Sequence, residues 1–197
     1  MDGYVRVSQI LARFQSYADV DPEVLEAKAK IGTNVHKAIV QDQADELVIH
    51  KGPREKAYFE SYEMWKANKH VQIKQVPRLY CHELMLTGEC DGLIFDQMLI
   101  DWKCSASPSK EVWNMQAHMY WYLLTQNGYK IVNNMRWINL KHRKSIHKCP
   151  ETNLGEIVYY PLEPVEYKFE FDQNVLDKCL SEVIKYWEEM YSAKVVD

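Results

Sequence analysis

Two carboxylates and one amine stand in a strongly apolar stretch of the sequence that runs from Gly88 to Ser105 (GECDGLIFDQMLIDWKCS). They belong to Asp91, Asp101 and Lys103, and most of their neighbours are residue types that favour the interior of a sheet. Burying an unpaired charge costs at least several kcal/mol, so these side chains need partners. We therefore expect the three groups to form one charged site.

Strand geometry brings the three groups together. Asp101 and Lys103 are two residues apart and point to the same side of a strand. A tight turn predicted at Asp96-Gln97 folds the stretch into a hairpin and brings Asp91 near position 101 or 102. Two ionised carboxylates held together repel each other, and burial makes the repulsion worse. Either one of them is protonated or a cation lies between them.

Magnesium suits the second solution, because it prefers oxygen ligands and is usually held by one or two carboxylates together with waters and substrate phosphates. Lys103 beside such an ion could position a water or stabilise negative charge on a phosphate. The alternative is a structural ion pair between Asp101 and Lys103, with Asp91 exposed in a turn. The spacing alone leaves both interpretations open.

The helices that must flank this hairpin have clear start signals. Pro22 and Pro53 suit a first helical turn, and Ser109 is a good N-cap residue. The predicted helices are Ser8–Phe14, Pro22 to about Gln41, Pro53 to about Asn68, Lys110 to about Gln126, and about Asn174 to Tyr191. Gly32 interrupts the second of these at a cost of about 1 kcal/mol relative to alanine. A glycine there indicates close packing or a backbone approached by another molecule.

Between the helices, the hydrophobic pattern changes to that of strands. The predicted strands are Val71–Val76, Arg78–Leu86, Cys90–Phe95, Met98–Cys104, Ile131–Leu140, Ile157–Tyr160 and Val165–Phe171. This order of elements predicts an α/β protein with a central mixed sheet flanked by helices. We expect one domain over residues 1–197, with a motif-bearing core at about 22–140 and C-terminal strands and a packing helix at 156–194.

Composition narrows the class of protein. The 197 residues are 47% hydrophobic and 26% charged, which is typical of a globular domain. The formal net charge of -4 gives no overall positive field, so contact with nucleic acid requires a local basic patch. The densest basic stretch is Asn139–Cys149, which either clamps phosphates or is a solvated hairpin loop. The candidate phosphate contacts are Lys141, Arg143, Lys144 and Lys148, together with Lys110.

The cysteines and the apolar runs bear on location. The five cysteines are odd in number and include no CxxC pair, which favours reduced, buried thiols in a cytosol-type protein. The N-terminus does not resemble a signal peptide, and no apolar run reaches about 18 residues. We therefore expect a cytoplasmic protein without a membrane partner.

The charged pattern D-x(9)-D-x-K, formed by Asp91, Asp101 and Lys103, resembles the signature of the PD-(D/E)XK nuclease superfamily, whose fold is restriction-endonuclease-like. One departure is Cys90, which stands where the name of the motif has proline. Further motifs follow the order of the RecB-like branch of that superfamily.

GTNVH resembles the G-x-x-x-H helix motif of the branch and implies that His36 is a metal ligand, although a surface histidine is the alternative. QAHMY resembles its Q-x-x-x-Y motif, and positions i and i+4 share one helical face. Gln116 and Tyr120 could therefore contact the substrate or orient Lys103. The alternative is an ordinary amphipathic helix in which Gln116 is solvated and Tyr120 packs in the protein. Glu83 resembles a strand glutamate that is a ligand, a substrate contact or a structural partner.

The resemblance implies a metal-dependent deoxyribonuclease. Asp91, Asp101 and the backbone carbonyl of Trp102 would hold one Mg²⁺, and His36, with or without Glu83, would complete that site or support a second ion. Mn²⁺ should substitute, and no iron–sulfur cluster is expected because the clustered thiolates that such a cluster needs are absent.

The N-terminal segment YVRVSQIL, followed by GTNVH, is similar to phage-type exonucleases and to the mitochondrial genome maintenance exonuclease. The resemblance covers about residues 4–125 and implies an exonuclease acting on DNA ends or single strands. It suggests the cytosol of a phage-infected or bacterial host, and it is compatible with a homo-oligomer or a single-strand annealing partner. The alternatives are a structure-specific endonuclease and a non-catalytic DNA-binding module with the nuclease fold.

Overall fold

The long helices begin where the sequence predicts. A computed structural model describes residues 3–15, 20–148 and 154–193. Pro22 and Pro53 each stand in the first turn of a helix, where their missing N–H costs nothing. The helices are α1 (Val7–Ala12), α2 (Pro22–Gln43), α3 (Pro53–Lys69), α4 (Lys110–Gln126) and α5 (Gln173–Ala193). The strands are β1 (Val5–Arg6), β2 (Ile73–Lys74), β3 (Leu79–Cys81), β4 (Leu86–Gly88), β5 (Gly92–Ile94), β6 (Met98–Lys103), β7 (Asn134–Lys148) and β8 (Gly155–Glu170).

The strands form two sheets. The central sheet has the order β2-β5-β6-β7-β8, in which β6 and β7 are parallel and the other neighbours are antiparallel. Helix α4 connects the parallel pair, as parallel neighbours require a crossover. A smaller sheet has the order β1-β4-β3. The predicted mixed sheet flanked by helices is therefore confirmed.

The central sheet separates two hydrophobic cores. Helices α1, α4 and α5 pack on one face and helices α2 and α3 on the other. Leu99 and Ile100, adjacent on β6 and fully buried, belong to different cores because successive side chains point to opposite faces. Trp102 packs edge-to-face on Tyr62 and Trp65, with ring centroids 5.0 and 5.1 Å away. Each such contact contributes about 0.5–1.5 kcal/mol beyond the area that it buries.

Two turns differ from their predictions. The predicted strand Arg78–Leu86 is in fact the hairpin of β3 and β4, and Glu83 lies in its turn rather than on a strand. The β5–β6 turn is centred on Phe95 and Asp96, which have φ of 51° and 59°.

Ser109 is the N-cap of α4, but its side chain makes no capping hydrogen bond.

Strands β7 and β8 form one long hairpin where the sequence predicts three shorter strands. β8 is an edge strand, and its Pro161 therefore removes no bond to a further strand. Pro164 falls at the irregularity where the register shifts between Asn139 and Lys141. A proline pair that would break a central strand is thus tolerated at this edge.

The described cysteines are all free of disulfides: Cys81, Cys90 and Cys179 are buried and Cys104 is partly buried. Cys149 lies outside the described residues. Among the described helices, none combines the length and the apolar character needed to cross a bilayer.

Candidate active site

The β5–β6 hairpin brings its two aspartates together as predicted. Gly92 pairs with Ile100, so the ladder places Asp91 beside Asp101 at the open end of the hairpin. Oδ2 of Asp91 accepts a hydrogen bond from the backbone N–H of Trp102 at 2.7 Å. This bond fixes the first carboxylate against the strand that carries the second.

Helix α2 supplies a histidine to this carboxylate. Val35, Ala38 and Ile39 are buried in the core, which fixes the rotation of α2 and turns His36 towards the end of the hairpin. Nδ1 of His36 lies 2.8 Å from Oδ1 of Asp91, and the side chain is 33% exposed. Burial lowers the pKa of His36, but the charge of Asp91 and the hydrogen bond to it outweigh burial and leave that pKa raised. Burial alone would raise the pKa of Asp91, but the charge of His36, the hydrogen bond to it and the hydrogen bond from the Trp102 N–H leave that pKa lowered.

The second carboxylate is held differently. Nζ of Lys103 lies 2.5 Å from Oδ2 of Asp101, whose side chain is only 4% exposed. Among the described residues, this ammonium group is the ion-pair partner of the buried oxygen. Burial raises the pKa of Asp101, Lys103 lowers it and Asp91 raises it, which gives a pKa of about 6. Ionised Asp101 is therefore costly in this state.

Helix α4 brings the predicted glutamine and tyrosine to the other side of the site. Nε2 of Gln116 donates to the Tyr120 hydroxyl at 3.2 Å, and Nε1 of Trp137 donates to Oε1 of Gln116 at 3.3 Å. Nζ of Lys103 lies 5.9 Å from the centre of the Trp137 ring. Burial and the charge of Asp101 raise the pKa of Tyr120 well above its ordinary value, so the phenol is neutral. Gln116 and Tyr120 thus form one connected group beside Lys103.

The loop after β6 is held by two residues of β7. The Asn139 side chain bonds both the backbone N–H and the carbonyl of Ser105 at 3.0 Å each, and Nζ of Lys141 donates to the same carbonyl at 2.8 Å. Asn139 is fully buried and was not singled out in the sequence. Its only sequence signal is a polar residue within the apolar run of β7. Lys141, which the sequence predicts to contact phosphate, holds this loop through its ammonium group in the structure.

The remaining predicted residues lie away from the cluster. Glu83 is exposed in the β3–β4 turn, at the opposite end of β4 from Asp91, so its assignment to a strand is wrong. Lys110 is exposed, with Nζ 5.6 Å from the centre of the Tyr167 ring. The other three basic candidates are exposed on the outer part of β7: Arg143, Lys144 and Lys148.

A groove of about 780 Å³ opens beside the site. His36, Asp91 and Trp102 line it together with Gly32 and Lys37. A Cβ atom built on Gly32 would meet no described residue within 4 Å. Close packing of this glycine against another described residue is therefore wrong, and a backbone open to another molecule agrees with its position.

The fit of a divalent ion depends on the two carboxylates. Among the described residues, no three His, Cys, Asp or Glu side chains are grouped closely enough to bind one ion as they stand. Magnesium nevertheless needs only one or two carboxylates, and the buried carboxylate of Asp101, whose ion-pair partner is Lys103, is a suitable ligand for it. The His36 imidazole contacts Asp91 and the Lys103 ammonium pairs with Asp101, so an ion held by both carboxylates would displace Lys103 from Asp101.

Comparisons with known proteins identify the fold. No protein-family model and no curated protein sequence matches the chain. An alkaline exonuclease, LHK-Exo from Laribacter hongkongensis, has a similar structure, with a TM-score of 0.53 and 13% identity over 97% of this chain and 89% of that one. Its complex with dAMP gives a TM-score of 0.52 at 12% identity with the same coverage. A phage related exonuclease from Haemophilus somnus 129PT gives 0.49 at 16% identity, over 97% of this chain and 96% of that one. The chain therefore shares the mixed α/β nuclease fold of LHK-Exo.

Proposed function

We propose that this chain is a metal-dependent deoxyribonuclease of the PD-(D/E)XK superfamily that acts as an exonuclease on DNA ends or single strands. The observation that carries the proposal is the meeting of Asp91, Asp101, Lys103 and His36 at one end of a hairpin. The similar structure of an alkaline exonuclease supports it, as does the dAMP bound to that protein. The positions of His36 and Gln116 in their motifs favour the RecB-like branch. Free, mostly buried cysteines suit a reducing cytosol.

Each residue has a defined part in this proposal. Asp91, Asp101 and the carbonyl of Trp102 hold Mg²⁺ or Mn²⁺, with His36 completing that site or supporting a second ion. When bound, the ion lowers the pKa of a water and polarises the phosphate. Lys103, displaced from Asp101, donates to a phosphate oxygen and stabilises its negative charge. Gln116 and Tyr120 position Lys103 through the Trp137 ring.

A second candidate is a non-catalytic DNA-binding module with the same fold. The observation in its favour is that both carboxylates are already paired with cations, and no three metal-binding side chains are grouped among the described residues. Such a module would bind DNA without cleaving it in either metal. Cleavage therefore separates the two candidates.

The test is digestion of end-labelled linear DNA, single- and double-stranded, with Mg²⁺, Mn²⁺ or EDTA. We expect metal-dependent cleavage, loss of at least about 100-fold in Asp101→Ala and Lys103→Ala, and unchanged folding by circular dichroism. Asp96→Ala and Lys74→Ala are matched controls, because this exposed ion pair joins the turn at the other end of the hairpin to the neighbouring strand β2. Full activity in both site variants would refute the assignment. Circular single strands should stay intact if the enzyme is an exonuclease, whereas their cleavage would identify an endonuclease.

The role of His36 has its own test. Because its imidazole contacts Asp91, His36→Ala should raise the Mg²⁺ concentration needed for half-maximal cleavage more than it lowers the maximal rate. His70→Ala is the control, since that exposed residue ends α3 outside the site. An unchanged metal titration would remove His36 from the ligand set.

A further inference from the structure

The β7–β8 hairpin extends beyond the central sheet as a two-stranded ribbon, formed by residues 141–148 and 155–162. Within the described residues, β6 pairs with β7 only as far as Asn139, so the ribbon has no third strand. Seven intervals of about 3.3 Å give it a length of about 23 Å. An isolated two-stranded hairpin is marginally stable in water at best, so a ribbon of this length gains from a partner.

The ribbon begins at the candidate active site. Lys103 pairs with Asn139, and Lys141 at the start of the ribbon holds the Ser105 carbonyl in the loop after β6. Helix α3 fixes this end: the Ser61 hydroxyl donates to the Leu162 carbonyl at 2.6 Å and accepts from the Lys141 N–H at 3.0 Å. The first residues of the ribbon therefore lie next to Lys103, and the rest of the ribbon leads away from the site.

The two faces of the ribbon differ. One face carries Arg143 and His147, which are occupied within the ribbon. The Arg143 guanidinium lies 5.0 Å from the centre of the Tyr160 ring, and the Tyr160 hydroxyl is 2.9 Å from Nε2 of His147. Glu156 pairs with His147 across the ladder on the same face. This face has its charged groups matched.

The other face, which we call the lysine face, consists of Lys144, Ile146 and Lys148 of β7 with their partners on β8. Lys144 and Lys148 are exposed and form no ion pair with any described residue. Ile146 pairs with Ile157, and the two are 63% and 45% exposed. The lysine face thus presents two unmatched cations on either side of an apolar pair.

We propose that the lysine face binds duplex DNA beside the active site, an inference that rests on the proposed function and specifies its substrate. The ribbon carries four basic side chains and one acidic one, a net charge of +3 in a chain of -4, which favours a polyanion. A two-stranded ribbon fits the major groove of B-DNA, and about 23 Å spans roughly seven base pairs. Lys144 and Lys148 contact phosphates, while Ile146 and Ile157 contact the groove. The enzyme then holds the duplex next to the end that it digests.

The test compares Lys144→Gln/Lys148→Gln with Lys130→Gln/Lys185→Gln, which makes the same charge change elsewhere on the surface. Binding to a labelled 20-base-pair duplex is measured in EDTA at several salt concentrations. Cleavage of a short single strand in Mg²⁺ is measured separately, and thermal unfolding verifies folding. We expect duplex affinity to fall about tenfold and the salt slope to decrease by about 2 in the lysine-face variant alone. Cleavage of a single strand too short to reach from Lys103 to Lys144 should change equally in the two double variants.

The remaining outcomes separate the two proposals. Equal duplex affinity and salt slope in both double variants would overturn the role of the lysine face. If the lysine-face variant instead changes only the oligomeric state in sedimentation, the face binds a second copy of the chain and the inference is wrong. If the wild-type protein cleaves no DNA but the lysine-face variant binds the duplex more weakly than the wild type, the role of the lysine face would be supported and the proposed nuclease activity would be refuted.

Ile146→Thr should weaken duplex binding without changing the salt slope, because it removes apolar contact and no charge.

Discussion

At the scale of single residues, one carboxylate of the candidate site opposes folding when it is ionised. Asp101 is buried, and its pKa of about 6 lies above the value of 3.8 in the unfolded chain, so folding favours its protonated form. Lys103 offsets only part of the burial cost. A carboxylate kept in such a place despite its cost indicates a role beyond stability, and the proposed metal binding would supply one.

Replacing Asp101 with asparagine should therefore stabilise the metal-free protein. The pKa of Asp101 in the folded protein lies above the unfolded value of 3.8, so the protonated carboxyl contributes its full stabilisation below about pH 4. That stabilisation is lost as the pH rises through about 6. Asparagine does not ionise. We expect Asp101→Asn to raise the free energy of unfolding by about 1–3 kcal/mol at pH 8 and to have little effect near pH 4.

Urea unfolding in EDTA at both pH values measures this difference. Asp96→Asn is the control, because that carboxylate is exposed in the turn of the same hairpin and its replacement should show no such pH dependence. Equal or lower stability of Asp101→Asn at pH 8 would contradict the burial argument.

The sequence predicted much of the site at this scale. The spacing of Asp91, Asp101 and Lys103 predicted their meeting, because strand periodicity and a short turn allow few registers. Glu83 was misplaced because the turn after β3 contains neither glycine nor proline, and Met85 there takes a φ of 48° that sequence does not announce. Asn139 was missed since its importance comes from a tertiary contact with Ser105.

At the scale of elements, two glycines in different surroundings show how helix α2 and strand β4 shape the site. Gly32 faces the groove, where a Cβ atom would meet no described residue within 4 Å. Gly88 is enclosed: its Cβ would lie 2.8 Å from Leu123 Cδ1 and 2.9 Å from Tyr120 Cε1. The first glycine keeps the wall of the groove open, and the second lets β4 approach α4.

Gly32→Ala and Gly88→Ala should consequently have opposite effects on stability. Alanine at position 32 favours the helix, and we expect the free energy of unfolding to rise by about 0.5–1 kcal/mol. Alanine at position 88 overpacks the contact with Leu123 and Tyr120, and we expect a loss of about 1–3 kcal/mol together with lower cleavage because Tyr120 is displaced. Denaturant unfolding measures both. A destabilised Gly32→Ala would show that the groove wall is more crowded than its geometry indicates.

Element boundaries were predictable where local chemistry decides them. The prolines of α2 and α3 fixed both helix starts almost to the residue. The β7–β8 hairpin was broken up in the prediction because Pro161 and Pro164 are poor strand residues. Their tolerance follows from an edge position and a register shift, which only the assembled sheet defines.

At the scale of the whole molecule, one sheet serves two cores. Leu99 packs with α4 and α5, and Ile100 packs with α2 and α3, although they are neighbours in the chain. The candidate site lies where these layers meet, since His36 comes from one side and Tyr120 from the other. Correct assembly of the site thus requires both layers.

If the chain is a single domain, damage to either core should destabilise the whole molecule. Leu99→Ala and Ile100→Ala each remove a fully buried side chain, and we expect each to lower the free energy of unfolding by about 2–5 kcal/mol. Tryptophan fluorescence and far-ultraviolet circular dichroism should report one coincident transition in both variants, because Trp102 and Trp137 lie in different cores of the same sheet. Met98→Ala, on the same strand but only partly buried, should cost less. A second transition in either variant would show that the two layers unfold separately, and the site would then depend on docking between units rather than on one cooperative fold.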